Sequence, residues 1–354
     1  MKIYDDIPYF DGHNDVLLKL FYSKNKIKIN DFIEGNENYH IDIPKINKAN
    51  FIGGFFAIFS PNEKPTEEFF SRMKANTYNY ELPEPLLYPH ALSATISMIS
   101  ILNDIQKKLI NKILICKNSK DIKDSINNNR IAIILHIEGA EAISENFDSL
   151  DILYSLGIRS IGPVWSRPNI FGNGVPFSFP SSPDTGPGLT DLGKVLIKKC
   201  NELNIIIDLS HLNEKGFWDV AKISTSPLVV THSNAHEICP HSRNLTNKQL
   251  EAIKNSDGIV GLNLATAFLR TDGKMEEDTN LEIILRHFDH LINILGEDKV
   301  AIGSDFDGAK VPLKIKNLVG MNVLKEFLLN KGYNKNLIIK LFSENWLNFL
   351  YKHY

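Results

Sequence analysis

The feature that most constrains this chain is a recurrence of short apolar runs, rich in β-branched residues, each closed by a polar or small residue. They lie around 7–15, at 51–58 (FIGGFFAI), 131–137 (IAIILHI), 159–165, 205–210 (IIIDLS), 227–231 (PLVVT), 258–264 (GIVGLNL) and 299–304 (VAIGS with its flanks). Uninterrupted apolar runs of this length suit parallel strands buried on both faces, because a half-exposed strand would alternate with polar residues. Helical spacing fills most of the gaps. One helix is predicted from an N-cap at Thr190 through Leu192, Val195, Leu196, Cys200 and Leu203. Others are predicted near 91–112, 142–155, 246–254 and 281–295, with two or more over 319–351. Eight strands alternating with helices predict an α/β chain folded as a (β/α)₈ TIM barrel with C-terminal helices. The rival, a doubly wound open sheet, calls for a glycine-rich phosphate loop after the first strand, and none is there.

Such barrels run from about 200 to over 400 residues, so the whole of 1–354 is expected to form one barrel domain. Hydrophobic residues at 43% and charged residues at 23% exclude wholesale disorder and supply a large core. The net charge is -3, with no basic excess of the kind that nucleic acid or an anionic membrane surface requires. Cys116, Cys200 and Cys239 are far apart and odd in number, which argues against a disulfide framework or a cysteine zinc site. The opening MKIYDDIPYF is too acidic for a secretory signal, and no run approaches the roughly 18 apolar residues of a membrane span. The expectation is a reduced, cytoplasmic protein. Two connections, 60–88 and 166–189, are long, rich in Pro, Gly and Ser, and follow predicted strands, which makes them candidate walls or lids over a site.

The polar residues at the strand ends are of one chemical kind. The first strand ends in DGHND, with His13 and Asp15 two apart; side chains at i and i+2 on a strand share a face. The third ends at Glu138, the fifth at His211 and the sixth at His232. A lone histidine at a strand end is more often a hydrogen-bonded structural residue than a ligand. Joint placement at one end of four strands is different: three imidazoles and two carboxylates would converge at the barrel mouth. They are suitable zinc ligands, and a carboxylate can bridge two ions.

DGHND, IEGAEAI around Glu138, IDLSH at 207–211, THSNAHEICPHSRN at 231–244 and GSDFDG at 303–308 together resemble the membrane (renal) dipeptidase family of zinc peptidases. The motifs stand in the family order from residue 11 to 308, and Asn345 fits its final helix. The resemblance implies a binuclear zinc site, with His13 and Asp15 on one ion, His211 and His232 on the other, and Glu138 bridging. It implies a dipeptide substrate, Asp305 as the catalytic carboxylate, Arg243 as the holder of the substrate's terminal carboxylate, and a homodimer. The chemistry has physical reasons: zinc lowers the pKa of a bound water to about 7, a leaving amine needs a proton, and a carboxylate is matched by a planar guanidinium fork.

One position departs from the family. Where its members commonly carry a histidine at the end of the fourth strand, this chain has Trp165, whose indole N–H donates one bond and cannot become cationic. Trp165, or else Arg167 or Asn169 in the following loop, is expected to meet the substrate, unless Trp165 only packs the wall. The departure keeps open a related barrel amidohydrolase acting on another amide or a lactam; a metal-binding homologue without catalysis is a further alternative, against which Asp305 and Arg243 argue. Asp307 is expected to serve the turn, and His136 to pack near the ligands. His236 and His241 sit beside Arg243. His40, His90, His287, His290 and His353 are expected on the surface or in helices, and the pair Phe69–Phe70 in the core.

Overall fold

The computed structural model describes residues 6–23, 28–62 and 73–354. Eight parallel strands form the centre: β1 (Tyr9–Asn14), β2 (Phe51–Phe59), β3 (Ile131–Glu138), β4 (Ile158–Gly162), β5 (Ile206–Ile207), β6 (Val229–Ser233), β7 (Ile259–Asn263) and β8 (Val300–Gly303). The first five pair in sequence order in one sheet and the last three in another. Isolated parallel bridges join the two sheets, Asp208 with Val229 on one side and Asn14 with Phe306 on the other. Leu209 N donates to Val229 O at 2.9 Å and Asp15 N to Phe306 O at 2.8 Å, so the ring closes as the alternation of strands and helices predicts. An extra short strand, Ile113–Ile115, pairs with the start of β3 below the point where β4 takes over.

The predicted helices are present as Tyr88–Lys108, Asp148–Leu156, Asp191–Glu202, Asn247–Asn255 and Glu282–Leu295. Thr190 caps the third of these by accepting from Gly193 N. The C-terminal stretch holds Met321–Asn330, Lys335–Ile339 and Asn345–His353. The helices Val16–Tyr22, Ile43–Ala49, Ser119–Asn127 and Glu214–Ile223 are not among those the sequence pattern predicts. Among the described residues, no helix is long and apolar enough to cross a membrane.

The barrel is filled from below. Phe10, Phe55, Ala132, Ile134, Ile206, Val229, Ile259 and Ala301 point inward and pack with Trp346, Phe349 and Leu350 of the last helix. That helix stoppers the amino-terminal end of the barrel: Trp346 Nε1 donates to Ile302 O at 2.9 Å, and Asn345 Nδ2 to Val300 O at 2.7 Å. Higher up, the strands crowd the carbonyl of Thr231. A Cβ on Gly261 or Gly303 would lie 2.0 or 1.8 Å from that oxygen, so only glycine lets the strands meet there. The second, larger core lies between the outer strand faces and the helices.

The two long connections meet. Tyr78–Asn79 and Ser178–Phe179 form a two-residue antiparallel ribbon, and Tyr80 N donates to Phe177 O at 3.1 Å. The pair Phe69–Phe70 lies outside the described residues.

Trp346 is fully buried in the barrel floor. Trp346→Ala is expected to lower unfolding free energy by about 3–5 kcal/mol, by lost burial plus the cavity left behind. Urea unfolding checks it: the midpoint should fall while the slope is retained.

Candidate metal centre

The carboxyl ends of the strands form one rim, and five side chains meet there. His13 lies on β1, Glu138 closes β3, His232 lies on β6, and His211 follows shortly after β5. Asp15 is not on the strand: it stands just before the helix Val16–Tyr22 with φ -110° and ψ 26°. The i, i+2 rule therefore does not place it. The turn off the strand does, bringing Asp15 Oδ2 to 3.3 Å from His13 Nε2.

A single atom organises the group. Glu138 Oε1 lies 2.9 Å from His211 Nε2, 3.4 Å from His232 Nε2 and 3.5 Å from His13 Nε2. His211 and His232 face each other through their Nε2 atoms at 3.2 Å, and the His13 ring stacks on His232 at 3.7 Å between centroids. All five side chains are buried, and neither ring nitrogen of His13 has a hydrogen-bond partner. Buried polar atoms are seldom left so, and an unpartnered one points to something that occupies the space. Ligand atoms of His13, Glu138 and His232 lie within 4.8 Å of one another, as do those of His13, Asp15 and Asp305. Imidazole and carboxylate donors at this spacing fit a divalent transition metal: zinc, or equally manganese, iron or cobalt.

The electrostatics point the same way. Burial pushes Glu138 well above the ordinary glutamate value against the pull of His13, and Asp15 and Asp305 push it further. Burial holds His211 and His232 far below the usual histidine range, with the Arg243 and His13 cations adding to the effect. For His13, burial disfavours the charge, but Glu138, Asp15 and Asp305 outweigh it and raise the group to about 10. The carboxyl groups crowded around His13 thus favour a positive charge in the middle of the rim.

Asp305 follows β8 in a left-handed conformation, φ 60°, and its Oδ2 accepts from Asn263 Nδ2 at 2.9 Å. Asp307 accepts from His40 N at 2.8 Å and Ile41 N at 3.2 Å, and its own N donates to His40 Nδ1 at 2.9 Å. That reciprocal clamp ties the turn after β8 to the segment 40–41, and it gives His40 a tertiary partner. Arg243 is buried beside His211. Its guanidinium donates to Ser210 O and, at 3.2 Å, to His232 O, while Nε has no partner.

Above the rim lies a cavity of ≈ 570 Å³, open solvent at its mouth included. Asp15, Glu138, His211 and Asp305 line its polar side, and Leu18, Phe59, Trp165, Phe177, Phe268 and Met275 its apolar side. Trp165 packs on Phe59 at 4.9 Å, Phe177 at 5.6 Å and His211 at 5.8 Å between centroids. Arg243 is not a lining residue; it stands behind Phe268, 5.3 Å from that ring.

Asn169 is not brought to this cavity. Its Nδ2 donates to Pro163 O at 2.9 Å and its Oδ1 accepts from Phe171 N at 2.8 Å, so both ends of the amide hold a turn. Arg167 also turns away. It is fully buried in an ion pair with Glu141, Nε to Oε1 at 2.9 Å, and donates to Asn62 and to Ser60 O. His136 lies beneath the rim, bonded to Ser160 Oγ at 2.9 Å and edge-on to His13. His287 sits on a helix but is wholly buried, accepting from Ala235 N and donating to Leu269 O. Sequence reasoning missed Leu18, Phe59, Phe177, Phe268 and Met275; of these, only Phe177 fell in a segment singled out as a wall.

The sequence profile of the membrane dipeptidases (peptidase family M19) matches residues 1–352. A metallo peptidase from Rhodobacter sphaeroides, liganded with a phosphinate mimic of the dipeptide L-Ala-D-Ala, superposes with a TM-score of 0.96 at 44% identity, covering 98% of this chain and 99% of that one. A protein of the pqqA 5′ region of Klebsiella pneumoniae is 48% identical over 252 residues, 71% of this chain and 93% of its own length. A protein of the PQQ-III 3′ region of Acinetobacter calcoaceticus is 41% identical over 292 residues, 81% of this chain and 90% of its own length.

The buried pair beside the cavity gives a stability prediction. Arg167→Ala leaves the Glu141 carboxylate buried without its partner and should cost about 3–5 kcal/mol in urea unfolding. A cost near zero would show that Glu141 is solvated there.

Proposed function

The chain belongs to the membrane dipeptidase family and is a metallo-dipeptidase, and from that premise we propose that it cleaves small dipeptides at a binuclear zinc centre held by His13, Asp15, Glu138, His211 and His232. One observation carries the proposal: Glu138 Oε1 lies within 3.5 Å of three imidazole nitrogens, with Asp15 alongside. His13 and Asp15 would hold one ion and His211 and His232 the other, with Glu138 shared. When bound, the ions supply Lewis acidity, polarising a carbonyl and lowering the pKa of water to about 7.

The chain's own residues do the rest. Asp305, steadied by Asn263 and raised by burial, takes a proton from the attacking water and returns it to the leaving amine nitrogen. Arg243 is assigned to the substrate's terminal carboxylate; it stands beside His211 but off the cavity wall, with its cation anchored on two carbonyls, so the assignment requires the Phe268 side of the pocket to admit the carboxylate. Trp165, Phe59 and Phe177 exclude water from one side, and the indole N–H of Trp165 is the donor assigned to the reacting carbonyl. The ligand of the Rhodobacter sphaeroides relative supports small side chains at both positions and a D residue at the second. Residues 1–354 act as one barrel domain. Three buried, unpaired cysteines suit a cytoplasmic location.

Metal analysis tests the centre. About two zinc ions per chain are expected. Glu138→Ala should lose both and His13→Ala mainly one; saturation of the wild type at one ion would refute the binuclear centre. Because the surrounding carboxyl groups raise His13 above the ordinary histidine range, an ion bound there displaces a proton, and zinc binding should tighten as pH rises. Competition titrations should give an affinity about tenfold higher per pH unit for each proton displaced.

The role of Arg243 is separable. Arg243→Ala should weaken binding of dipeptides about tenfold or more, by loss of a charge-assisted bond of roughly 1.5–3 kcal/mol. Dipeptide amides should be poor substrates of the wild type and little affected by the change. Equal losses on acids and amides would assign Arg243 to structure alone.

A further inference from the structure

Beneath the rim lies a polar network that none of the roles above uses. Asp208 follows β5 and is buried, and both its oxygens are occupied. Oδ1 accepts from Ser210 Oγ at 2.6 Å, Thr231 N at 2.8 Å and Ser210 N at 3.2 Å; Oδ2 accepts from Thr231 Oγ1 at 2.7 Å. Thr231 Oγ1 also lies 2.8 Å from His232 Nδ1. We infer that Asp208 and Thr231 are positioning residues that fix the tautomer of His232, with the proton on Nδ1 and the lone pair on Nε2 at the rim.

The assignment follows from counting protons. A threonine hydroxyl has one hydrogen to donate, and a carboxylate surrounded by donors only accepts. Thr231 therefore gives its hydrogen to Asp208. The hydroxyl oxygen can then meet His232 Nδ1 only as an acceptor, so Nδ1 carries the N–H. Ser210 gives its own hydrogen to the other carboxylate oxygen and accepts from His232 N at 3.1 Å, so the 3.2 Å approach of Ser210 Oγ to Thr231 Oγ1 supplies no competing donor. The consequence appears 3.4 Å beyond, at Glu138 Oε1: the Nε2 lone pair faces a carboxylate oxygen, two acceptors that a cation between them would satisfy.

The three rim histidines are thereby unequal. His211 Nδ1 meets Ser166 Oγ at 2.9 Å, and that hydroxyl can turn to donate or accept. His13 Nδ1 has no hydrogen-bond partner, and its Nε2 has only the carboxyl groups of Asp15 and Glu138 at 3.3 and 3.5 Å. Only His232 is held in the liganding tautomer before any ion arrives. Such supporting bonds orient a ligand and raise its basicity, and their loss typically costs about 10–100-fold in metal affinity.

The inference rests on the metal-ligand reading of His232, and the experiment separates the two. Thr231→Val keeps the shape and removes the oxygen; Thr231→Ser keeps both. Asp208→Asn can place an amide N–H against Thr231 Oγ1, turning the hydroxyl hydrogen onto Nδ1 and the ring proton onto Nε2. Long-range ¹⁵N–¹H correlation spectra of labelled histidine in the metal-free protein should show Nδ1–H at His232 in the wild type and in Thr231→Ser. Thr231→Val should mix the tautomers and Asp208→Asn should invert them. Zinc competition should give losses of about 10–100-fold for Thr231→Val and Asp208→Asn, and Thr231→Ser within about threefold of the wild type. If Asp208→Asn does not fold, the two Thr231 variants decide. An Nε2–H tautomer in the wild type, or Thr231→Val with tautomer and zinc affinity both unchanged, overturns the inference. A wild type that shows Nδ1–H yet takes up no zinc supports the tautomer relay and refutes the metal centre instead.

Discussion

Burying a carboxylate costs several kcal/mol unless opposite charge or hydrogen-bond donors come with it, and Glu138 is buried with three imidazoles around one oxygen. Neutral imidazoles presenting lone pairs do not relieve that cost; a cation does. Asp15, Glu138 and Asp305 favour positive charge at His13 in the same sense, against the penalty of burial. Much of the upper barrel serves this arrangement. The Asp208 network sets His232 from below, Arg243 is fastened to the backbone of Ser210 and His232 from behind, and the Asp307 clamp holds the turn that carries Asp305.

The barrel divides along its axis into a hydrophobic floor and a polar rim. The floor needs no precise orientation: Phe10, Phe55, Ile134 and Trp346 fill space, and their contribution scales with buried area. The rim is different, because each polar atom there must find a partner. Closely approaching backbones make this feasible. Gly261 and Gly303 let β7 and β8 pass the Thr231 carbonyl at a distance that any side chain would forbid.

Where the loops ran, the structure went against the most specific expectations. Asn169 and Arg167 lie in the segment beside Trp165 and carry groups that could meet a ligand, but each is consumed by local needs. Asn169 satisfies two backbone groups of its own turn, and Arg167 neutralises Glu141 and donates to Ser60 O. Side chains that reach the cavity instead come from distant places: Phe177 through the ribbon between the two long connections, and Phe268 and Met275 from the segment after β7. His287 shows the same thing in the core, a helix histidine whose partners Ala235 and Leu269 are remote in sequence.

What the amino-acid order determined by itself is the fold and the convergence of His13, Asp15, Glu138, His211 and His232. Apolar runs with no polar alternation demand strands covered on both faces, and parallel strands joined by helices put every carboxyl end on one rim, so residues at those ends must meet whatever the loops do. Even there the route could differ: Asp15 reaches the group from a turn rather than from the strand face. What only the tertiary structure decided is how the polar groups are shared out, which donors Asp208 collects, which carbonyls Arg243 takes, and which aromatic rings face the cavity. A hydrogen atom can serve one acceptor and a ring can cover one wall. Those choices are settled by competition that brings in partners 23, 33 or 107 residues away, as for Asp208, Arg243 and Arg167, and no local pattern in a sequence records the outcome.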